Sequence, residues 1–398
     1  MKTVKIDEKI DEKIDVLFFE RPVSDLKRYA FKIAKFLKEI DPKIKMASIS
    51  LELPEDESEK CVDYYILRKQ VKNIDQFLLR HKVKIIVFTN PRIPDMEMIL
   101  HAHKCSVKTV MIQEGVIFEG ANINDVSVNN IFATLKFIPK TISYFGILYR
   151  MCRYDSRSFI GLMKEIITIK KNITSIVAHY FTPYLIGDYV FTMGEYWEDY
   201  YVNVMKYKKS QIRIMGDHDL DGFCVSDNCE AAICYIATVL VEDGTRSKNE
   251  FDVFIEALAK AVDKETKLYI KLHPRSDETL YEKLRDHNVE FIREGKLPST
   301  NVYIGHRSTL LARALYESDN LVIWKFANEK ADFFEQFASK ICMNEKELCS
   351  ALSTIDFNSC STLKREKMEK VYWMNPKGAI KSAAEMIYQY ISEERIEC

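Results

Sequence analysis

The chain has 398 residues and a formal net charge of −1, with 47% hydrophobic and 29% charged residues. This is the composition of an ordinary folded protein, and the length predicts two domains of about 150–200 residues each. The near-neutral charge argues against wholesale nucleic-acid binding, which needs a basic excess. Only 12 glycines occur, with no Gly-x-Gly-x-x-Gly or phosphate-loop string, so a glycine-rich dinucleotide-binding domain is disfavoured.

The start of the chain, residues 1–15, is predicted to be a charged leader because it lacks the apolar stretch of a secretory signal. No window of about 18 uncharged apolar residues is available to span a membrane. The ten cysteines form no Cys-x-x-Cys pairs. We therefore expect a cytoplasmic protein with reduced thiols and no metal site.

The first half of the chain alternates short apolar runs with amphipathic stretches. Strands are predicted at residues 16–19, 83–88 and 109–112, and helices at residues 26–40, 74–79 and 96–103. Such alternation predicts a parallel, doubly wound α/β sheet. The strand at 109–112 runs into Gln113-Glu114-Gly115. A carboxylate in this position suits a binding cleft, although an exposed glutamate beside a turn glycine explains the same residues equally well.

The middle of the chain, residues 131–184, interleaves aromatic and aliphatic residues with lysines and arginines and is predicted to be a helical insert. Two interpretations stand. Helices of this kind lie on anionic membrane surfaces, which would place residues 131–176 against the inner membrane. Alternatively, the helices pack on their domain and keep their lysines in water.

The strand–helix rhythm returns after this insert. Strands are predicted at residues 189–194, 211–216, 233–237, 268–272, 301–304 and 321–324, and helices at 251–262, 310–315 and 379–391. The Asp- and Gly-rich segment 217–230 is predicted to be the crossover between domains. The expected organisation is an N-terminal domain over residues 16–220, a C-terminal domain over 221–375 and a closing helix over 376–398.

Two polar motifs follow strands of the second domain. Lys271-Leu272-His273-Pro274-Arg275 comes directly after one strand, and Ser308-Thr309 lies in the segment from Gly305 to Leu311, where another strand passes into a helix. Open α/β sheets bind ligands at the carboxyl ends of their strands. The predicted nucleotide or phosphate pocket therefore consists of His273, Pro274, Arg275, Gly305, Ser308 and Thr309.

The order of these elements resembles bacterial glycosyltransferases of the B-type (GT-B) fold, especially those that use CMP-sialic acid. Capsular polysialyltransferases and lipooligosaccharide sialyltransferases share an acidic-acidic-glycine motif, a His-Pro motif and a Ser-Ser/Thr motif. Here His273-Pro274 and Ser308-Thr309 match the second and third motifs, and the resemblance covers about residues 80–330. It implies two Rossmann-like domains facing a central cleft. It also implies inverting, metal-independent transfer of sialic acid from CMP-sialic acid to a bacterial surface glycan, with no cofactor beyond that donor.

The acidic motif departs from the family pattern, because Gln113 occupies the first acidic position in the N-terminal half. A full match, Glu242-Asp243-Gly244, occurs in the C-terminal half instead. Glu114 is the preferred general base, since in such families the base that faces the acceptor comes from the N-terminal domain. Asp243 remains a rival, and an ordinary exposed turn explains the Glu242-Asp243 pair equally well.

The other motif residues would act on the donor phosphate. His273 would donate a hydrogen bond or a proton to it, and Arg275 would add a fixed positive charge. Pro274 would hold the loop geometry, while Ser308 and Thr309 would use free amides at a helix start as an anion site.

Two other functions fit the same motifs. One is a phosphotransferase resembling the CDP-glycerol polymerases of teichoic acid synthesis, although those enzymes usually carry His-Gly where this chain has Glu114-Gly115. The other is a non-catalytic assembly protein of a polysaccharide locus.

Overall fold

The computed structural model describes residues 13–20, 23, 26–54, 61–89, 92–116, 144–168, 177, 180–181, 186–221, 230–329, 333–355, 369, 372 and 378–396. These residues form two compact units. The first takes the described residues of Met1–Gly115, Pro139–Phe223 and Glu369–Cys398, and the second takes those of Val116–Ile138 and Cys224–Met368. The chain therefore returns to the first unit for its last helix.

The first unit contains a seven-stranded, wholly parallel sheet with the strand order β3-β2-β1-β4-β5-β6-β7. Its strands are β1 (Val16–Phe19), β2 (Met46–Ser50), β3 (Tyr64–Leu67), β4 (Ile85–Thr89), β5 (Lys108–Ile112), β6 (Tyr189–Thr192) and β7 (Ile212–Ile214). The strand order reverses between β1 and β4, so the carboxyl ends of these two strands flank the topological switch point where such sheets bind ligands.

The helices of this unit lie between its strands. A π-helical turn (Leu26–Ala30) leads into α1 (Phe31–Ile40), followed by α2 (Ile74–Arg80), α3 (Ile93–Lys104), α4 (residues 144–154), α5 (Phe159–Thr168) and α6 (Glu198–Asn203). Short 3-10 helices occur at Arg68–Gln70, Glu195–Trp197 and Lys209–Gln211.

The second unit contains a six-stranded parallel sheet with the order β10-β9-β8-β11-β12-β13. Its strands are β8 (Glu230–Ile236), β9 (Leu268–Lys271), β10 (Val289–Ile292), β11 (Thr300–Gly305), β12 (Leu321–Trp324) and β13 (Lys340–Cys342). The helices are α7 (Lys248–Ala261), α8 (Leu311–Glu317) and α9 (Glu345–Thr354), with 3-10 helices at Glu278–Leu284 and Phe333–Phe337.

The last helix, α10 (Ala379–Ile396), completes the core of the first unit. Its buried face, including Ala383 and Ile387, packs in one apolar cluster with Ile33 and Leu37 of α1. Removing such side chains from water stabilises the fold by roughly 1.5–3 kcal/mol each. The helix also starts from a defined anchor, because the backbone N–H of Ile380 donates to the Asp221 carboxylate at 2.9 Å.

The predicted fold class is confirmed, because both halves form parallel α/β sheets with helices between the strands. Four strands were not predicted: β2, β3, β10 and β13. The β2 sequence Met-Ala-Ser-Ile-Ser shows why, since Ser48 and Ser50 are buried within a strand that has no long apolar run. The predicted helix at 26–40 begins with a π-helical rather than an α-helical turn.

Parts of three predicted segments lie outside the described residues. They are residues 1–12 of the leader, 131–143, 169–176, 178–179 and 182–184 of the insert, and 222–229 of the crossover. Residues 144–154 and 159–168 of the insert are helical, as predicted. Among the described residues, no helix combines the length and apolarity needed to cross a membrane. The described cysteines with free thiols are Cys61, Cys105, Cys152, Cys234, Cys342 and Cys349.

Candidate functional site

Three loops of the second unit leave the same edge of its sheet. They follow β9, β8 and β11, which are parallel neighbours in that order. The His-Pro motif follows β9, Glu242-Asp243-Gly244 follows β8, and Ser308-Thr309 follows β11. With strands about 4.8 Å apart, the ends of β9 and β11 lie about 10 Å from each other on either side of β8. All three sequence motifs therefore border one region.

His273 is held by its own loop. Its Nδ1 accepts a hydrogen bond from the backbone N–H of Arg275 at 3.1 Å, and its backbone N–H donates to Oγ of Ser276 at 3.2 Å. Because Nδ1 is an acceptor, the proton of the neutral ring lies on Nε2. Burial and, secondly, the nearby Arg275 lower the pKa of His273, against the opposing effect of Asp243 and Glu242. The ring is therefore neutral at pH 7 and carries an Nε2–H donor.

Arg275 and Asp243 form a two-pronged ion pair between the loops after β9 and β8. The guanidinium Nη1 and Nη2 lie 2.6 and 3.0 Å from the two carboxylate oxygens. The side chains are 61% and 40% exposed. Gly244 supports this loop with a φ of 70°, a left-handed conformation that favours glycine. Exposed ion pairs contribute little stability, so an incoming anion would separate Arg275 from Asp243 at small cost.

The His-Pro loop is fixed from behind by a residue that the sequence did not single out. Nη1 of Arg293 donates to the carbonyl oxygens of Pro274 at 3.1 Å and Ser276 at 3.0 Å. Lys271, which is buried, donates through Nζ to the carbonyl of Gly295 at 3.0 Å. Arg293 therefore shapes the His-Pro loop, and Lys271 holds the neighbouring segment after β10.

The third motif forms a hydrogen-bonded turn at the start of α8. The backbone N–H groups of Leu311 and Ala312 donate at 3.1 Å to the carbonyls of Ser308 and Thr309, and that of Leu310 donates to Ser308 Oγ at 3.3 Å. These three amides are consequently used within the turn. The amides of Ser308 and Thr309 are not among these three donors, and the anion site predicted on those two residues stays a prediction. Ser308 is half-buried and Thr309 is exposed.

Two further residues explain how this edge is built. Gly305 ends β11, and a Cβ there would lie 2.6 Å from Cδ2 of Leu311, so glycine allows α8 to pack closely. Thr238, just after β8, has a buried hydroxyl oxygen with no hydrogen-bond partner within the described parts of the chain. A ligand polar group at this edge would satisfy that hydroxyl.

His306, next to the Ser-Thr motif, is structural. It is buried, with Nδ1 3.0 Å from the carbonyl oxygen of Trp324 and Nε2 3.0 Å from the hydroxyl of Tyr235. Burial lowers its pKa to about 4, so the ring stays neutral. Nδ1 then donates to the carbonyl, and the tyrosine hydroxyl donates to Nε2.

In the first unit, Gln113 follows β5 and is buried. Its side-chain Nε2 donates to the carbonyl of Gly115 at 3.0 Å, and its Oε1 accepts from the backbone N–H of Met193 at 3.1 Å. A carboxylate supplies no donor, so an acidic residue would lose the first of these bonds. Gln113 therefore joins the ends of β5 and β6, which gives a structural reason for the departure from the acidic motif.

Glu114, the neighbouring residue, is part of a partly buried charge cluster. Its Oε1 accepts from Nη1 of Arg28 at 3.0 Å, and Nε of Arg28 donates to Oδ1 of Asp219 at 2.6 Å. A further bond joins Arg28 Nη2 to Asp219 Oδ2. Burial by itself lowers the pKa of the Arg28 guanidinium. The negative charges of Asp219, Glu114 and Asp217 have the larger, opposite effect, so the pKa is raised.

A second cluster, deeper in this unit, lies at the switch point between β1 and β4. Oε1 of Glu20 accepts from the hydroxyl of Tyr29 at 2.6 Å and from the backbone and hydroxyl of Thr89, both at 2.7 Å. Arg92 bonds to Glu20 and, through Nε at 2.7 Å, to Asp95. Burial raises the pKa of Asp95 to about 7, with Glu20 adding to the effect and Arg92 opposing it.

No protein-family model matches the chain, and no curated protein matches it by sequence. Solved structures do match its fold. A putative UDP-N-acetylglucosamine 2-epimerase from Listeria monocytogenes has a TM-score of 0.56 at 10% identity, over 97% of this chain and 98% of that one. The S. aureus MnaA-UDP structure has a TM-score of 0.51 at 11% identity, over 96% and 97%.

A third structure, the UDP-GlcNAc 2-epimerase of Methanocaldococcus jannaschii in complex with UDP-GlcNAc and UDP, has a TM-score of 0.50 at 12% identity. It covers 96% of this chain and 99% of that one. Identities this low establish the fold alone. The chain thus has the two-domain α/β architecture of the GT-B type.

Proposed function

We propose that this protein is an inverting, metal-independent glycosyltransferase that moves a sugar from a nucleotide-sugar donor to a bacterial surface glycan. The proposed donor is CMP-sialic acid, in line with the His-Pro and Ser-Thr motifs. The observation that carries the proposal is the placement of His273, whose Nδ1 accepts from the backbone N–H of Arg275, beside the exposed Arg275 side chain at a strand end.

The donor phosphate would bind to the loops of the second unit. When the bond from phosphate to sugar breaks, negative charge develops on the departing phosphate oxygens. A neutral His273 would donate a hydrogen bond to this phosphate, and its lowered pKa favours that role over delivery of a proton. Arg275 would exchange Asp243 for the phosphate and add positive charge. Pro274, Gly305, Ser308 and Thr309 would complete the loop surface.

The acceptor hydroxyl needs a general base, and Glu114 is the proposed one. Asp243 is the weaker candidate because it lies beside Arg275, on the side of the donor phosphate that would leave. A base opposite the leaving phosphate would let the acceptor attack the anomeric carbon from the far face, which inverts its configuration. The proton would pass from the acceptor oxygen to Glu114 as the new bond forms.

The comparison structures support a nucleotide-sugar donor in general terms, because two of them are named as complexes with UDP or UDP-GlcNAc. They also favour a second candidate function, a nucleotide-sugar epimerase. The two functions differ in outcome. An epimerase converts UDP-GlcNAc to its C2 epimer with no acceptor, whereas the proposed transferase releases CMP from CMP-sialic acid and extends a glycan.

The identity of the donor nucleotide is tested first, by thermal-shift measurements with CMP, CDP, UDP and GDP. Stabilisation by CMP is expected. Stabilisation by UDP or GDP but not CMP would refute the sialyltransferase assignment, and a response to CDP alone would favour the CDP-glycerol phosphotransferase.

The catalytic assignment is tested by transfer from CMP-sialic acid in His273→Ala, Glu114→Gln and Asp243→Asn variants. Loss of the general base Glu114, or of the hydrogen bond that His273 donates to the phosphate, is expected to lower kcat by about 10²–10⁴-fold. Asp243→Asn is expected to retain most activity. A greater loss in Asp243→Asn than in Glu114→Gln would transfer the base role to Asp243, and full activity in both His273→Ala and Glu114→Gln would refute the proposed site.

We also propose peripheral contact with an anionic membrane through the described part of the insert. Phe145, Tyr149 and Ile160 on α4 and α5 are 42%, 52% and 70% exposed, and the exposed Arg153 and Lys164 lie on the same helices. Co-sedimentation with vesicles containing phosphatidylglycerol is expected and should weaken in a Phe145→Ser, Tyr149→Ser variant. Equal recovery with neutral and anionic vesicles would contradict this contact.

A further inference from the structure

Arg28 joins three segments that are far apart in the chain. It lies in the π-helical turn after β1, and it contacts Glu114 after β5 and Asp219 after β7. We infer that Arg28 is a positioning residue that orients Glu114 toward its substrate, and that Asp219 fixes Arg28 for this purpose. This inference rests on the proposed role of Glu114 as the general base.

The geometry of the guanidinium is the first argument. Nε and Nη2 of Arg28 bond to the two oxygens of Asp219, which is the fork-to-fork arrangement of arginine with a carboxylate. Because the guanidinium is planar and rigid, fixing two nitrogens also fixes the direction of the third. That third nitrogen, Nη1, lies 3.0 Å from Oε1 of Glu114. A lysine has no such fork, so its ammonium would not fix the direction of the bond to Glu114 in this way.

The backbone beneath Arg28 is also anchored. The next residue, Tyr29, is 1% exposed, and its hydroxyl donates to the buried Glu20 at 2.6 Å. Leu26 and Ala30 of the same π-helical turn are buried as well. The turn is therefore fixed on both sides of Arg28, which leaves its side chain a well-defined starting point.

Partial burial makes the cluster electrostatically effective. The side chains of Arg28, Glu114 and Asp219 are 31%, 26% and 21% exposed. Tyr29 also lies close to Glu114, Asp217 lies close to Arg28, and His218 lies 3.8 Å from Asp219. Arg28 stands among three carboxylates, those of Asp219, Glu114 and Asp217. Its removal would leave like charges together, and Glu114 would then bind a proton more readily.

The test compares pH profiles of transfer from CMP-sialic acid. Arg28→Met is expected to lower kcat about 10–100-fold through misplacement of the base. It is also expected to move the acidic limb of kcat/KM upward by about one pH unit, because the neighbouring positive charge is lost. Arg28→Lys and Asp219→Asn keep the positive charge, so we expect a lower kcat with an acidic limb that does not move upward.

Arg150→Met is the matched control. Arg150 forms a similar two-pronged pair with Glu97 in the same unit, at 2.8 and 3.1 Å, and its described contacts do not include Glu114. Its pH profile should match that of the wild type. If Arg28→Met does not fold, the positioning role of Arg28 is tested with Arg28→Lys instead. A wild-type kcat in Arg28→Lys would overturn the inference.

The failure of this inference is distinct from the failure of the proposed function. An active wild type with an unchanged profile in Arg28→Met would overturn the positioning role of Arg28 alone. A wild type that neither transfers nor hydrolyses CMP-sialic acid would overturn the proposed function, and the inference that rests on it would fall as well.

Discussion

The two units place the same pair of chemical groups at their strand ends, but in different surroundings. In the first, Arg28 bonds to Asp219 and Glu114 with side chains 21–31% exposed. In the second, Arg275 bonds to Asp243 with side chains 61% and 40% exposed. Low exposure strengthens an ion pair and holds it in one geometry, whereas water weakens it. The first cluster is therefore suited to hold a base in place, and the second to release an arginine to a ligand.

The Glu20–Arg92–Asp95 cluster extends this comparison to full burial. Glu20 and Asp95 are 1% and 0% exposed. A buried ion pair adds little net stability, because desolvation of its charges offsets their attraction, but the loss of one partner is costly. A fully buried cluster therefore predicts a larger mutational effect than an exposed pair, and the following variants test this order.

The largest effect is expected for Glu20→Ala. This change removes the acceptor of Tyr29 and Thr89 and leaves Arg92 with one fewer carboxylate. The free energy of unfolding should fall by about 3–5 kcal/mol. Urea denaturation at pH 7 measures it. A loss below about 1 kcal/mol, the range of an exposed pair, would contradict the comparison.

The raised pKa of Asp95 leads us to expect that the stability of the fold depends on pH. Its pKa is raised from 3.8 to about 7 in the folded state, so the folded protein binds the proton that the unfolded chain has released. The stabilisation that comes from this proton is fully present below the pKa of Asp95 in the unfolded chain. It is lost as the pH rises through about 7, the pKa in the folded state. Urea midpoints between pH 5 and 8 should fall more steeply for the wild type than for Asp95→Asn. If the urea midpoints of the wild type and Asp95→Asn fall in parallel with pH, Asp95 does not cause the pH dependence of stability.

Gln113→Glu introduces an acidic residue at the first position of the Gln113-Glu114-Gly115 segment and should destabilise the first unit. The substitution removes the donor to the Gly115 carbonyl and brings a negative charge to that oxygen. A cost of about 1–3 kcal/mol is expected for the unsatisfied buried group. Thermal unfolding measures it, with Gln113→Met as a control for volume. A more stable and more active Gln113→Glu variant would show that the motif position is catalytic after all.

The smallest effect is expected for Asp243→Asn. Because its pair with Arg275 is exposed, the free energy of unfolding should change by less than about 1 kcal/mol. Release of Arg275 should leave CMP affinity unchanged or increased, as measured by calorimetry. A marked loss of affinity would mean that Asp243 contacts the donor directly or orients Arg275 for it.

Much of the fold was predictable because buried parallel strands are short apolar runs. Residues 16–19 and 321–324 were predicted with the same bounds as β1 and β12. Strands such as β2, with buried serines, lack that signal. The His-Pro and Ser-Thr motifs were recognisable because they directly follow such strands. Arg28, Asp219 and Arg293 were not, because their roles depend on which distant segments the fold brings together. Arg28 lies 86 positions from Glu114 and 191 from Asp219.

The central claim is that the loops of the second unit bind the phosphate of a nucleotide-sugar donor through His273 and Arg275. Calorimetric titration with CMP tests it most directly, in the wild type, His273→Ala, Arg275→Ala and the control Arg150→Met. We predict binding to the wild type and the control, with affinity reduced about tenfold or more in the other two variants, since each loses a hydrogen bond to a charged group. Equal CMP affinity in all four proteins, or no binding to the wild type, would contradict the claim.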